Sequence, residues 1–193
     1  MIDLILTILD LTSERKEKMS EGWLLWELMR ILELEKKVKF DYVTGKKHFF
    51  ELLNEVSTKY LHIGAHGDQD KGQTGLLTPR GAFITSDDIE EKWLCRKKPE
   101  LVVLSACKAG RVELINKISN LGVKYVIAPL NDTYWEDAAV FLTMFYKILL
   151  SDEKNPWISY RNAYCGYKEA FGKISGAWRF YKYGELVQVD CGK

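Results

Sequence analysis

The chain has 193 residues, of which 47% are apolar, 28% charged and 12% aromatic. This length predicts one compact domain over residues 1–193, and the apolar and aromatic content excludes a disordered chain. Formal net charge is only +1, from 28 basic and 27 acidic residues, so the basic excess typical of nucleic-acid binding is missing.

Hydropathy and cysteine spacing indicate in which cellular compartment the protein is located. No run approaches about 18 apolar residues, and the amino-terminal stretch carries Asp3 and no basic segment, so we expect neither a membrane span nor a signal peptide. Cys95, Cys107, Cys165 and Cys191 lie far apart without a Cys-x-x-Cys pair. This spacing argues against a disulfide framework and favours a reducing, cytoplasmic location, with Cys95, Cys165 and Cys191 as packed or incidental thiols.

Apolar periodicity predicts strands that alternate with helices. Short apolar or alternating runs predict strands at residues 2–11, 37–42, 61–65, 101–106, 124–128 and 178–183. Amphipathic stretches predict helices at residues 14–34, 46–58, 87–93, 111–120, 135–150 and 156–171. Ser86 is expected to cap the third helix, and Gly122 to end the fourth. Residues 68–74 are expected to form a polar loop and residues 75–85 a small hairpin, in a mostly parallel α/β protein without repeats.

Two of these strands end in a reactive side chain with a glycine close behind. One run ends at His66-Gly67, and the other ends at Ser105-Ala106-Cys107. Carboxyl ends of parallel strands meet at one edge of a sheet, so we expect His66 and Cys107 to lie close together. A thiol attacks as the thiolate, and a nearby imidazole can take its proton and later protonate the leaving group. The pattern therefore predicts a cysteine nucleophile with a histidine base.

The same segments offer donors for an oxyanion. Gly67 can present its backbone N–H where a Cβ would obstruct a substrate, and the N–H of Cys107 is a second donor. Because these groups suffice for acyl transfer, the chemistry requires no cofactor and no metal. A zinc site of His62, His66, Cys95 and Cys107 is a weaker alternative, since the paired spacings of structural zinc sites are absent.

Other polar residues near these strand ends allow two interpretations. His62 shares a strand face with His66 and is expected to be a packed, hydrogen-bonded histidine below the site. Asp68 could orient the imidazole or contact substrate, or simply be solvated. Asp132 could line a pocket for an arginine or lysine side chain of the substrate. It could equally cap the helix that begins near Trp135.

Together, these segments resemble a known family. His66-Gly67 after one strand and Ser105-Ala106-Cys107 after another are similar to the caspase-like cysteine peptidases of clan CD, and within them to the CHAT group. Residues 128–132 resemble the stretch after the fifth strand of CHAT domains, and residues 178–184 resemble their closing strand. Residues 131–135 depart from the tryptophan and acidic pair that CHAT domains often carry, which affects the expected substrate pocket.

The resemblance implies a fold and a set of roles. The fold would be a caspase-like three-layer α/β sandwich, with a central mostly parallel β-sheet and helices on both faces. Cys107 would be the nucleophile, His66 the general base and acid, and Gly67 part of the oxyanion hole. The usual preceding repeat region is missing, so a stand-alone domain is expected. Prokaryotic stand-alone relatives often act in defence systems, where they cleave a partner protein such as a pore-forming effector.

The sequence thus predicts a cysteine endopeptidase that cleaves a partner protein through a thioester acyl-enzyme. We expect an effector protease of prokaryotic antiviral defence or cell death, with a possible regulatory partner and no direct nucleic-acid or membrane partner. Two alternatives stay open. One is a non-catalytic interaction module with the same fold and Cys107 buried, and the other is a small-molecule amidase or acyltransferase. Presence of both His66 and Cys107 favours the enzyme, because an inactive paralogue more often loses one of them.

Overall fold

The computed structural model describes residues 4–12, 20–70, 73–153 and 155–192. The strands are β1 (Leu6–Asp10), β2 (Val38–Tyr42), β3 (Tyr60–Gly64), β4 (His66–Asp70), β5 (Gln73–Leu77), β6 (Phe83–Thr85), β7 (Leu101–Ser105), β8 (Tyr125–Pro129), β9 (Trp178–Lys182) and β10 (Glu185–Val187). The helices are α1 (Glu21–Ile31), α2 (Lys46–Glu55), α3 (Ser86–Lys92), α4 (Val112–Asn120), α5 (Trp135–Ile148) and α6 (Pro156–Phe171). Within this part of the chain, no helix has the length and apolar character that crossing a bilayer requires.

Seven strands form one sheet in the order β10-β9-β8-β7-β3-β1-β2. Neighbours from β2 to β8 pair in parallel, whereas β9 is antiparallel to β8 and β10 to β9. This arrangement confirms the predicted mostly parallel sheet. The predicted hairpin is present as β5 and β6, which form a second, three-stranded antiparallel sheet with β4.

Helices cover both faces of the large sheet, which confirms the three-layer sandwich. Alternate residues of β7 belong to different cores: Val102 and Leu104 pack on the side of α2, α3 and α4, and Leu101 and Val103 on the side of α1, α5 and α6. Successive side chains of a strand point to opposite faces, and a strand buried on both faces has a continuous apolar sequence. The predominantly apolar sequences of β3 and β7 have this origin.

Several predicted boundaries need correction. Residues 2–3 of the predicted first strand and 14–19 of the predicted first helix lie outside the described residues. α1 begins after Ser20, whose hydroxyl accepts a hydrogen bond from the Trp23 N–H at 3.1 Å. Thr85 and not Ser86 caps α3, through a capping box with Asp88.

The predicted loop at residues 68–74 was wrong at both ends, because His66–Asp70 forms β4 and β5 begins at Gln73. β4 belongs to the small sheet and needs no apolar face to pack into a main core. Its polar sequence therefore lacks the apolar pattern that predicts a strand.

The expectation for two cysteines was also wrong. Cys165, on α6, and Cys191, in the carboxyl-terminal segment, form a disulfide across a separation of 26 residues. The Arg161 Nε donates to the Asp190 carbonyl oxygen at 3.1 Å and adds a second link between the same segments. Cys95 and Cys107 are free thiols. The pairing depends on where the tail crosses α6, which cysteine spacing alone does not indicate.

Candidate active site

The two strands that end just before His66 and Cys107 are neighbours in the sheet. β3 and β7 pair in parallel, with Gly64 opposite Ser105. Just beyond this pair, the Ala65 N–H donates to the Ser105 carbonyl oxygen at 3.0 Å. The chain then reaches His66 on one side and Cys107 on the other. The predicted meeting of the two strand ends at one edge of the sheet is therefore confirmed.

Gly67 lies directly on the backbone of Cys107. An added Cβ at Gly67 would be 1.9 Å from the Cys107 carbonyl oxygen and 2.8 Å from its carbonyl carbon and its nitrogen. Real Cβ atoms do not approach backbone this closely, so only glycine fits here. Gly67 is held in place by β4, where it pairs with Leu76 of β5. The main chain beside His66 and the turn that carries Cys107 thus form one packed unit.

The turn after Cys107 is anchored to the end of β8. The Lys108 N–H donates to the Asn131 carbonyl oxygen at 3.2 Å, and the Gly110 N–H donates to that of Pro129 at 2.8 Å. The Tyr181 hydroxyl donates to the Gly110 carbonyl oxygen at 2.7 Å. These bonds tie the Cys107 turn to two further strands and fix its position relative to the loop after β8.

Lys108 has a left-handed backbone, with φ +60°. This conformation costs a residue with a Cβ about 1 kcal/mol or more, and such residues concentrate at functional sites. Its ammonium lies 3.4 Å from a carboxylate oxygen of Asp132. The residue directly after Cys107 is therefore both strained and positively charged.

The two predicted catalytic side chains differ in exposure. His66 is exposed as the first residue of β4, whereas Cys107 is partly buried in its turn. The Cys107 thiol lies 3.8 Å from the Thr133 carbonyl oxygen, within reach of a weak S–H···O contact. The loop that contains Thr133 therefore forms one wall beside the sulfur.

Ser175 holds this wall. Its hydroxyl lies 3.1 Å from the Thr133 hydroxyl and accepts a hydrogen bond from the Tyr134 N–H at 3.0 Å. Asp137 accepts in turn from the Ser175 N–H at 3.3 Å and from the Tyr167 hydroxyl at 2.9 Å. Sequence analysis missed Thr133 and Ser175, because they meet only through tertiary structure and carry no motif.

The pKa values of Asp137 and Tyr167 are both shifted in this network. The hydrogen bond from Ser175 lowers the pKa of the Asp137 carboxyl, and the bond from Tyr167 acts in the same direction. Burial raises the pKa of Tyr167 to about 12, and Asp137 adds to the rise. Asp137 is therefore held as a carboxylate that fixes the segment around Ser175.

The two candidate substrate-binding acids lie near this edge. Asp132 is 72% exposed and pairs with Lys108. Tyr134 is the N-cap of α5 and makes no capping bond through its side chain, so the alternative of Asp132 as the cap is wrong. Asp68 is exposed on β4, opposite Gly75. Substrate contacts by Asp132 and Asp68 stay predictions.

His62 is fully buried, which confirms it as a packed histidine below the site. Its Nδ1 lies 3.1 Å from the Tyr146 hydroxyl and its Nε2 lies 3.4 Å from a Glu21 carboxylate oxygen. Burial raises the pKa of Tyr146, with a smaller contribution from the charge of Glu21.

The alternative zinc set does not assemble. Cys95 lies near Trp93, whose indole N–H donates to its sulfur at 3.1 Å. Across the described ranges, no three histidine, cysteine, aspartate or glutamate side chains are grouped to hold a metal ion.

Comparison with known proteins identifies the fold. No protein-family model and no curated protein sequence matches the chain. Among solved structures, a secreted C11 cysteine protease from Bacteroides thetaiotaomicron, "iotapain", is similar at a TM-score of 0.59 and 11% identity, over 94% of this chain and 67% of that one. The Drosophila initiator caspase Dronc is similar at a TM-score of 0.54 and 9% identity, over 94% of this chain and 81% of that one.

A further structure of the C11 protease, in complex with an irreversible peptide inhibitor, is similar at a TM-score of 0.59 and 12% identity, over 94% of this chain and 66% of that one. The chain has the caspase-like fold of clan CD cysteine proteases. At these identities the similarity establishes the fold alone.

Proposed function

We propose that this protein is a caspase-like cysteine endopeptidase of the CHAT group, with Cys107 as nucleophile and His66 as general base and acid. The observation that carries the proposal is the contact of Gly67 with the Cys107 backbone, where β3 and β7 end side by side. In a fold shared with cysteine proteases, this contact puts the His66 segment beside the only free thiol at that edge among the described residues. A Cys–His pair requires this proximity.

The proposed reaction has two steps. The Cys107 thiolate attacks the scissile carbonyl carbon, and the N–H groups of Gly67 and Cys107 stabilise the oxyanion. The C–N bond breaks as His66 gives its proton to the leaving amine, which leaves a thioester on Cys107. His66 then takes a proton from water, whose oxygen attacks the thioester. Collapse of this intermediate releases the carboxylate product and restores the thiol.

The substrate in this proposal is a protein. Asp132 and Asp68 would contact it, and an exposed carboxylate such as Asp132 suits an arginine or lysine side chain. By the CHAT resemblance, the partner would be an effector of a prokaryotic defence system, such as a pore-forming protein, with a regulatory partner controlling cleavage. Residues 1–193 would act as a single peptidase domain.

The proposed location of this protein is the cytoplasm, and the disulfide provides a test of it. The Cys165–Cys191 disulfide weighs against it, because such bonds are rare in reducing compartments. Non-reducing mass spectrometry of the protein from separated cell fractions tests the location.

The first test measures thiol reactivity. We expect iodoacetamide to modify Cys107 rapidly below about pH 8, because an activated thiol reacts as the thiolate at lower pH than an ordinary one. Intact mass should show the fast adduct lost in Cys107→Ala and slowed about tenfold or more in His66→Ala. Cys95, the other free thiol of the described residues, is the internal control. A Cys107 that reacts no faster than Cys95, even with candidate partner proteins present, would favour the interaction module.

The second test separates a protease from an amidase or acyltransferase. Candidate partner proteins, beginning with those encoded beside this one, are incubated with wild type and with Cys107→Ala. Cleavage at one defined bond by wild type alone supports the endopeptidase. Reactivity of Cys107 with small acyl electrophiles without cleavage of any protein favours the small-molecule enzyme.

A further inference from the structure

The opposite edge of the large sheet contains a cavity. It has a volume of about 1190 Å³ and lies at the amino-terminal ends of β1, β3, β7 and β8. Its walls come from residues 4–5, 57–60, 97–100 and 149–150, together with three single residues from other loops. Cys107 and His66 follow the carboxyl ends of the strands, so this cavity is separate from the candidate active site.

Lysines dominate the polar lining of this cavity, which we call the lysine groove. Among its described lining residues there are five lysines and one carboxylate, that of Glu100. The lysines are Lys37, Lys59, Lys97, Lys98 and Lys124. The whole chain has a formal net charge of only +1. The groove therefore concentrates positive charge in a protein that is nearly neutral as a whole.

Two of these lysines share a single acid. Glu100 lies 3.2 Å from the Lys59 ammonium and 3.6 Å from that of Lys124. One carboxylate neutralises only one of two positive charges. Lys59 and Lys124 therefore keep a net positive charge around Glu100.

Two other lysines are held by carbonyl groups. The Lys37 ammonium donates to the Leu150 carbonyl oxygen at 2.9 Å. The Lys98 ammonium donates to the Trp93 and Cys95 carbonyl oxygens at 2.6 and 2.9 Å. A carbonyl positions an ammonium group without cancelling its charge. Leu150 lines the groove, so its contact holds the Lys37 ammonium at the groove wall, and less side-chain entropy is lost when an anion binds there.

Apart from the hydroxyl-bearing Ser57, Thr58 and Tyr60, the rest of the wall is apolar. Leu4, Ile5, Pro99, Leu149 and Leu150 contribute to it. The volume of about 1190 Å³ is slightly above the usual range of small-molecule sites, which is about 300–1,000 Å³. Lysines bind phosphate groups as point charges, and apolar walls accept the uncharged part of a ligand.

We propose that the lysine groove binds a small ligand with several phosphate groups and an uncharged moiety, of the size of a nucleoside triphosphate. The proposal does not depend on the proposed peptidase activity. The ligand's phosphates would lie among the lysines, and its uncharged part against the apolar wall.

Binding is measured by isothermal titration calorimetry on the full chain, with ATP and inorganic tripolyphosphate as probes. We expect both to bind, ATP more tightly because of its uncharged part, and both to weaken as salt rises. Lys59→Gln/Lys97→Gln should weaken ATP binding about tenfold or more. The matched control Lys47→Gln/Lys168→Gln removes the same charge away from the groove and should leave affinity unchanged.

A variant that should bind ATP more tightly controls for misfolding, because a misfolded protein would bind more weakly. Glu100→Gln removes the carboxylate from between Lys59 and Lys124, so ATP should bind about threefold or more tightly. The proposal is overturned if neither probe binds at millimolar concentration in low salt, or if the control pair weakens binding as much as the groove pair. It is also overturned if a single-stranded oligonucleotide binds and tripolyphosphate does not displace it, because the surface would then be a nucleic-acid site.

Discussion

Gly67 and the Cys107 carbonyl oxygen are so close that a Cβ on Gly67 would lie 1.9 Å from that oxygen. The contact joins the strand that begins with His66 to the turn that carries Cys107. Neither segment can shift without moving the other, so the relative placement of the two proposed catalytic residues is set by backbone packing.

Gly67→Ala should therefore disturb both the fold and the site. We expect the free energy of unfolding to fall by about 2 kcal/mol or more, because backbone has to move. Rapid alkylation of Cys107 should also be lost. Gly45→Ala is the control, since the nearest atom to its Cβ would be 4.0 Å away on the Arg80 side chain. Urea unfolding that shows equal losses in the two variants would contradict the packing argument.

Lys108→Gly should separate stability from reactivity. Glycine relieves the left-handed backbone at φ +60° and should add about 1 kcal/mol to the free energy of unfolding. Loss of the neighbouring positive charge should slow alkylation of Cys107 several-fold. Tyr183→Gly, at φ +52°, tests the same backbone effect away from the site. It should stabilise without slowing alkylation, and equal slowing in both variants would exclude a local effect of Lys108.

Asp132→Asn tests the proposed substrate contact. If Asp132 binds a basic side chain, the variant should lower kcat/KM about tenfold for peptides with arginine or lysine before the scissile bond. Alkylation of Cys107 should not slow, because the variant keeps the positive charge of Lys108 beside the thiol. Peptides with a neutral residue at that position are the control substrates. An equal loss for basic and neutral peptides would assign Asp132 a structural role through Lys108.

Asp137 predicts a pH dependence of stability. Its pKa is lower in the folded protein than the usual 3.8, so its hydrogen bonds stabilise the fold above about pH 4. That contribution is lost as pH falls through the folded pKa. Asp137→Asn should lower the free energy of unfolding at neutral pH by about 1 kcal/mol and reduce its fall toward pH 3. Glu136→Gln removes the same charge at the adjacent position and should retain the wild-type pH dependence, as measured by urea unfolding.

The Cys165–Cys191 disulfide predicts that the free energy of unfolding depends on reductant. Closing a 26-residue separation should contribute about 3 kcal/mol to the free energy of unfolding. Dithiothreitol should therefore destabilise wild type, and Cys191→Ser should be equally destabilised without reductant and insensitive to it. Cys95→Ser is the control and should keep the response to reductant. A Cys191→Ser variant as stable as oxidised wild type would contradict the stabilising role.

The elements that sequence analysis predicted well are those whose signal is local. β3 and β7 are buried on both faces, so their sequences are predominantly apolar, with His62 as the buried exception in β3, and they end just before His66 and Cys107. The polar strand β4 carries no such pattern. The contact between Thr133 and Ser175 joins residues 42 positions apart, and the partner of Cys165 depends on the path of the carboxyl-terminal segment. Such features arise from tertiary contacts and cannot be derived from periodicity.

The alternation of side chains along β7 has a consequence for how this protein can vary. Val103 packs into one core and Leu104 into the other, two and one residues before Ser105. The strand that ends at Cys107 is therefore constrained by two independently packed layers. A cavity made in one layer leaves the other to hold the strand in register, so the reactive edge should tolerate substitutions in either layer singly. Paired substitutions, one in each layer, should displace it.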